Sequence, residues 1–220
     1  MQLKIDIHVH TYYSKDSIIT LDDLISQIKK NRLDGIAITD HDTVEGAIKI
    51  VRAIKEKGIG INPIIIPGIE VSTKRGHILG INMTTPIPKK LSIEETVERI
   101  HENGGIAIAA HPETFFKDGI GLNPKILSAG LDAIEVINSS VFPFKLLTQL
   151  CKKFAERYGL PQTAGSDSHI PETIGLSYTL MECDSAKIDD IIESIRKGLT
   201  KPVGRGIPMT LRIKRVFRKT

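Results

Sequence analysis

The chain has 220 residues, 40% of them apolar and 25% charged, the composition of an ordinary globular domain rather than of a disordered or fibrous chain. No stretch approaches the roughly 20 apolar residues of a membrane span, and the start "MQLKIDIHVH" lacks the basic and apolar regions of a secretory signal. The net charge of +4 is local: residues 201–220 carry seven basic and no acidic side chains, which leaves −3 on the first 200.

The elements alternate along the chain. "LKID" and Ile7 alternate as a half-buried strand does and end in "HVH". A helix is predicted over 20–33, with Leu21, Leu24, Ile25 and Ile28 on one face, Thr20 at the cap and Asp22 and Asp23 in the first turn. "DGIAITDHD" reads as a short buried strand, and residues 43–58 as a helix stopped by Gly58. Strands follow over 61–73 and 76–83. Ser92 and Glu95 then form a capping-box pattern that opens a helix ending at Gly104 and Gly105. "IAIAAHP" and "LDAIEVIN" are strands, 144–159 a helix, "LPQTAGSDSH" a strand running into a polar turn, and 186–198 a last amphipathic helix.

Repeated β-then-α units of this length imply parallel strands joined by helical crossovers, in an open doubly wound sheet or a closed barrel. The position of the polar residues bears on that choice, because barrels gather them at the carboxyl ends of many strands around one mouth. His8 and His10 close the first strand, Asp40 and His41 the second and Glu70 the third, and His77 starts the stretch just after it. His111 closes "IAIAA", and Asp167 and His169 follow "LPQTAGS". Six of the seven histidines thus lie at strand ends; His101, among charged helix neighbours, reads as a surface residue. His8 and His10, two apart on a strand, face the same way. Clustered imidazoles and carboxylates are costly to desolvate without a cation. Nitrogen and oxygen donors without sulfur suit zinc, manganese or iron. Cys151 and Cys183 belong to no CxxC pair, so neither a disulfide framework nor a thiolate site is expected, and a reducing, cytoplasmic setting is the default.

The motifs "HVHTYYSKDS", "TDHDT", "PGIEVST", "GHILG", "AAHP" and "AGSDSH", in that order from about residue 3 to residue 180, resemble the PHP (polymerase and histidinol phosphatase) family of metal-dependent phosphoesterases. The resemblance implies a distorted (β/α)7 TIM-like barrel in a single domain, 1–200, with a basic segment at 201–220. It also implies two or three divalent ions (Mn2+, Zn2+ or Fe2+) at the carboxyl-end mouth. His8, His10, Glu70 and Asp167 then look like the ligands of a first ion. Glu70 would bridge to a second, completed by His77 and His111, while Asp16, His41 and His169 look like a third site. Asp40 is expected to support a ligand or handle a proton.

Hydrolysis of a phosphate monoester of a small molecule or nucleotide, by a hydroxide that the metals activate, is the function this implies. Ser14 and Ser168 lack a free histidine base, which argues against a Ser-His hydrolase. Lys74 and Arg75 are candidates to grip the phosphate, because an arginine can bind two of its oxygens at once. Arg205, flanked by glycines, is a third candidate. A nuclease acting on RNA or DNA ends is the alternative, supported by the basic tail but not by the aromatic content of 5% with no Trp. A non-catalytic metal-binding module ranks last, because all nine ligand positions hold competent residues.

Overall fold

The computed structural model describes residues 1–57, 63–114 and 119–218, and side chains no further than residue 214. In chain order the elements are β1 (Gln2–Val9), α1 (Leu21–Asn31), β2 (Gly35–Ile38), α2 (Glu45–Lys57), β3 (Ile64–Ser72), β4 (His77–Ile81), α3 (Ile93–Glu102) and β5 (Ile106–Ala109). They continue with β6 (Ala133–Asn138), α4 (Phe144–Tyr158), β7 (Gln162–Gly165), β8 (Ser177–Glu182), α5 (Ile188–Arg196), β9 (Thr200–Gly204) and α6 (Met209–Arg218). The helix starts follow local chemistry. Thr20 accepts from the Asp23 amide while the Asp23 side chain answers the Thr20 amide, and Ser92 and Glu95 do the same for α3. The expected Gly58 stop lies outside the described residues.

The strands form one curved sheet in the order β7-β6-β5-β4-β3-β2-β1-β8-β9. The pairs β1–β2, β2–β3, β5–β6 and β6–β7 are parallel, but β4 runs antiparallel to both β3 and β5. That reversal needs only the four-residue turn 73–76, so no helix crosses between β3 and β4. Closure is partial. The Val9–Ser168 bridge joins the end of β1 to the segment just after β7, with the His10 amide donating to the Ser168 carbonyl at 3.0 Å and the Asp167 amide to that of His8 at 2.8 Å. The first half of β1, Gln2–Ile5, is already paired with β8. β7 therefore meets β1 only at its carboxyl end, and the result is a distorted, nearly closed TIM-like barrel in a single domain.

Leu3, Ile5, Ile7, Ile66, Leu79, Ile81, Ile106 and Ile108 share one buried cluster, which Ile191, Ile192 and Ile195 of α5 complete. Packing between β2 and β3 is tight at Gly35, where a Cβ would sit 2.3 Å from the Ile64 carbonyl oxygen. Gly35→Ala is expected to cost about 1–3 kcal/mol through overpacking, with a melting temperature lowered by roughly 2–4 °C for each kcal/mol. Thermal unfolding followed by circular dichroism checks this, and an unchanged midpoint would show that the two strands can separate freely.

The basic segment is structured where it is described. β9 pairs with β8, and α6 docks through Arg212, whose guanidinium donates to the carbonyls of Ser139, Ser140, Val141 and Ile207. Lys214 pairs with Glu172. No helix among the described residues is long and apolar enough to cross a membrane.

Candidate metal centre

The parallel strands deliver His8, His41, Glu70, His111 and Asp167 to one end of the barrel because each sits at or just past a carboxyl end. His77 begins its strand yet reaches the same mouth, because β4 runs backwards. Asp16 comes from the loop after β1, which folds onto the segment after β7. Ser17 Oγ there donates to the His10 and His169 carbonyls, and the Ile18 amide donates to that of His169. His111 and Asp167 have φ of 29° and 51°, a left-handed backbone that costs a non-glycine residue energy and recurs at functional sites.

All nine candidate ligands converge. His8 Nε2 and His10 Nε2 are 3.1 Å apart and lie 3.2 and 3.1 Å from Glu70 Oε2. Asp167 Oδ1 is 3.8 Å from His8 Nε2 and 3.4 Å from His10 Nε2. The other carboxylate oxygen, Glu70 Oε1, lies 3.0 Å from His77 Nδ1 and 3.1 Å from His111 Nε2. Asp16 Oδ2 is 2.8 Å from His169 Nε2 and 3.6 Å from His41 Nε2, and His41 Nδ1 is 3.2 Å from Glu70 Oε2.

These spacings fit divalent ions. Donors bound at about 2.0–2.2 Å around one tetrahedral ion lie roughly 3.3–3.6 Å from one another. His77 Nδ1 is buried and makes no hydrogen bond although Glu70 is 3.0 Å away, an approach suited to two ligands sharing an ion. His8, His10, Glu70, His111 and Asp167 are all buried, and a buried cluster of this kind is compatible with charge-compensating cations.

Without cations the cluster shifts its own proton affinities. Burial opposes the charged form of His8, but Glu135, Glu70 and Asp167 outweigh it and hold the imidazole well above its usual range. His10 and His111 are likewise pushed up to about 9, by Asp167 and Glu70 against burial for the first and by Glu70 for the second. Burial would raise Glu70 and Asp167, yet the surrounding imidazoles, His8 foremost, hold both well below the usual carboxylate range. Asp16 is held low by hydrogen bonds from His169 and His41 against its partial burial.

The mouth is a cavity of about 360 Å³ lined by candidate ligands together with Thr114, Ser140 and Val141. Asp40 does not line it. Its oxygens accept from the Thr11 amide at 2.6 Å and the Thr11 hydroxyl at 2.7 Å, contacts that tie β2's end to the loop after His10. Lys74, Arg75 and Arg205, the residues expected to grip a phosphate, are all exposed and do not line this cavity. The β3–β4 turn closes on itself through Thr73 and Gly76, and the Lys74 amide is drawn to the Leu91 carbonyl. Arg205 follows β9, its amide tied to the Leu176 carbonyl. Ser14 Oγ accepts from the His41 amide at 2.8 Å and lies 3.3 Å from His10 Nδ1, an orienting part rather than a nucleophile's. His101 pairs with Asp132 away from the mouth.

Glu135 went unnoticed in the sequence. It is completely buried on β6 and touches His8 and the backbone of His111. A charged residue in the strand "AIEVIN", whose every position is buried, was the signal available.

The PHP-associated family (PHP_C) matches residues 149–200. An uncharacterized protein of Methanocaldococcus jannaschii is 35% identical over 147 residues, 62% of this chain and 82% of that one. The 5'-3' exoribonuclease Rnm of Escherichia coli is 33% identical over 100 residues, 43% of this chain and 33% of the enzyme. In three dimensions the chain resembles, with a TM-score of 0.75 and 17% identity, a two-domain protein from Bacteroides vulgatus containing a predicted PHP-like metal-dependent phosphoesterase, over 100% of this chain and 70% of that one. The PHP-associated match and the structural likeness, together with the ordered motifs, the barrel and the converging donors, lead to one conclusion: the chain belongs to the PHP family of metal-dependent phosphoesterases.

Proposed function

We propose that the protein hydrolyses a phosphate monoester of a small molecule or nucleotide, with two or three divalent ions (Mn2+, Zn2+ or Fe2+) held by the nine converging residues. The observation that carries this reading is Glu70, whose two oxygens face two separate sets of imidazoles, as a bridging ligand's would. His8, His10 and Asp167 complete one site, His77 and His111 a second, and Asp16, His41 and His169 an outer third. When bound, such ions lower the pKa of water toward about 7 and neutralise charge on a phosphoryl group. The chain's part is to hold these donors rigidly and to shape the cavity. Ser14 and Asp40 fix the loop that carries His10 and Asp16, and the Thr114 and Ser140 hydroxyls donate to the carbonyls of His111 and Asp167 at the cavity wall. The phosphate grip is assigned to the metal centre, since Lys74, Arg75 and Arg205 lie outside the mouth.

A nuclease acting on RNA or DNA ends is the second reading. The match to the exoribonuclease favours it, as does the docking of basic α6 on the Ser139–Val141 loop at the rim.

Elemental analysis of the purified protein is expected to find at least two transition-metal equivalents. Chelation should abolish hydrolysis of p-nitrophenyl phosphate and nucleoside monophosphates, and Mn2+ should restore it. Turnover of a 5'-phosphorylated oligoribonucleotide, with affinity falling steeply in salt, would move the assignment to the nuclease. A wild-type protein that takes up no metal and stays inert would end both readings.

A further inference from the structure

We infer that Glu135 is a positioning residue that couples the first two metal sites, by fixing which nitrogen of His8 faces an ion and by anchoring the backbone of His111. The inference rests on the proposed metal centre and concerns a residue outside its nine ligands.

Three donors converge on this one carboxylate. His8 Nδ1 is 3.0 Å from Oε1, while the His111 amide and Asn138 Nδ2 donate to Oε2 at 3.0 and 2.9 Å. A carboxylate offers only lone pairs, so His8 Nδ1 keeps its hydrogen and Nε2, beside His10, Glu70 and Asp167, is the nitrogen left to give up its proton to an ion. The bond to the His111 amide helps hold the left-handed backbone that aims that side chain at Glu70. Asn138 spans the same region, 3.3 Å from Asp167 Oδ2.

The fold makes room for this arrangement. A Cβ on Gly165 would lie 2.3 Å from His8 Cβ and 2.6 Å from Glu135 Oε1, so only glycine fits on β7 beside the pair. Glutamate is also the only residue of its shape that satisfies all three donors. In Glu135→Gln, an amide oxygen facing His8 sets the NH2 against the His111 amide and Asn138. The flipped amide donates to His8 Nδ1 instead and moves the ring hydrogen to Nε2, where it blocks an ion.

The test measures Zn2+ binding by chelator competition in wild type, Glu135→Gln and Glu135→Ala, with thermal unfolding of the metal-free forms to separate folding from binding. The expected result is a loss of roughly 10- to 100-fold in affinity for Glu135→Gln, felt at both inner sites, and at least as large a loss for Glu135→Ala. Should the variants fail to fold, the ring 15N shifts of His8 in wild-type Zn2+-loaded protein still decide: Nδ1 protonated and Nε2 ligated is expected. Ligation through Nδ1, or wild-type affinity in a folded Glu135→Gln, overturns the role of Glu135 while leaving the metal centre standing. A wild type that binds no Zn2+ overturns both.

Discussion

Glu70→Gln is expected to lower kcat/KM at least about 10³-fold, the largest effect of any single substitution here. A residue that only supports a metal ligand is worth roughly 10–100-fold, and a ligand shared between two ions should be worth more. Five imidazole nitrogens, from His8, His10, His41, His77 and His111, lie within 3.0–3.2 Å of its two carboxylate oxygens. Glutamine keeps the volume but turns one oxygen into a donor that cannot ligate and removes the charge that the imidazoles surround. Metal content should fall with activity, most of all at the His77–His111 site. Asp16→Asn, whose parent is about one-third exposed and belongs to the outer set, should cost less. The measurement is steady-state kinetics paired with elemental analysis of each variant. A Glu70→Gln protein that kept its full metal complement and a tenth of its activity would remove the bridging role.

Metal affinity should rise with pH. In the metal-free cluster His10 and His111 are pushed up to about 9 by Glu70 and Asp167, so at neutral pH both hold protons that an ion must displace, and His8 is shifted in the same direction. Each displaced proton makes the apparent affinity rise about tenfold per pH unit, so two or more give roughly 100-fold per unit, levelling off above about pH 9. Mn2+ titrations at several pH values, in buffers of different ionisation enthalpy, would count the protons released. A flat profile would show that the imidazoles are already bare.

The same shifts set the stability of the metal-free protein. The raised histidines stabilise the fold fully below their ordinary value of 6.5, and that contribution is lost as pH rises through about 9. The lowered carboxylates of Glu70 and Asp167 contribute above their ordinary values of 4.5 and 3.8, and that contribution is lost as pH falls. As far as these groups decide, the metal-free form is most stable between about pH 4.5 and 6.5. Bound metal should flatten the alkaline loss.

How much of this could be read from the chain depends on the range of the interaction. Thr20 and Ser92 reveal their helices because a cap is made within three residues, and "HVH" reveals a shared face because a strand repeats every two. The pile-up of histidines and carboxylates at strand ends was equally legible, since each motif is only a few residues long. β8, β9 and α6 were not read. Their apolar residues are few or half-exposed, and what holds them is pairing to β1 and the grip of Arg212 on distant carbonyls.

The sequence by itself determined the alternation of strands and helices, the helix caps and the gathering of histidines and carboxylates near strand ends, all matters of local period and chemistry. Only the tertiary structure decided that β4 reverses and so brings His77 to the mouth, and that β7 meets β1 only at its end. It also decided that the Asp16 loop folds onto His169, that Lys74, Arg75 and Arg205 face solvent, and that Glu135 backs His8. These depend on which residues meet across the barrel, Ser17 and His169 being 152 positions apart, and no local periodicity encodes such contacts.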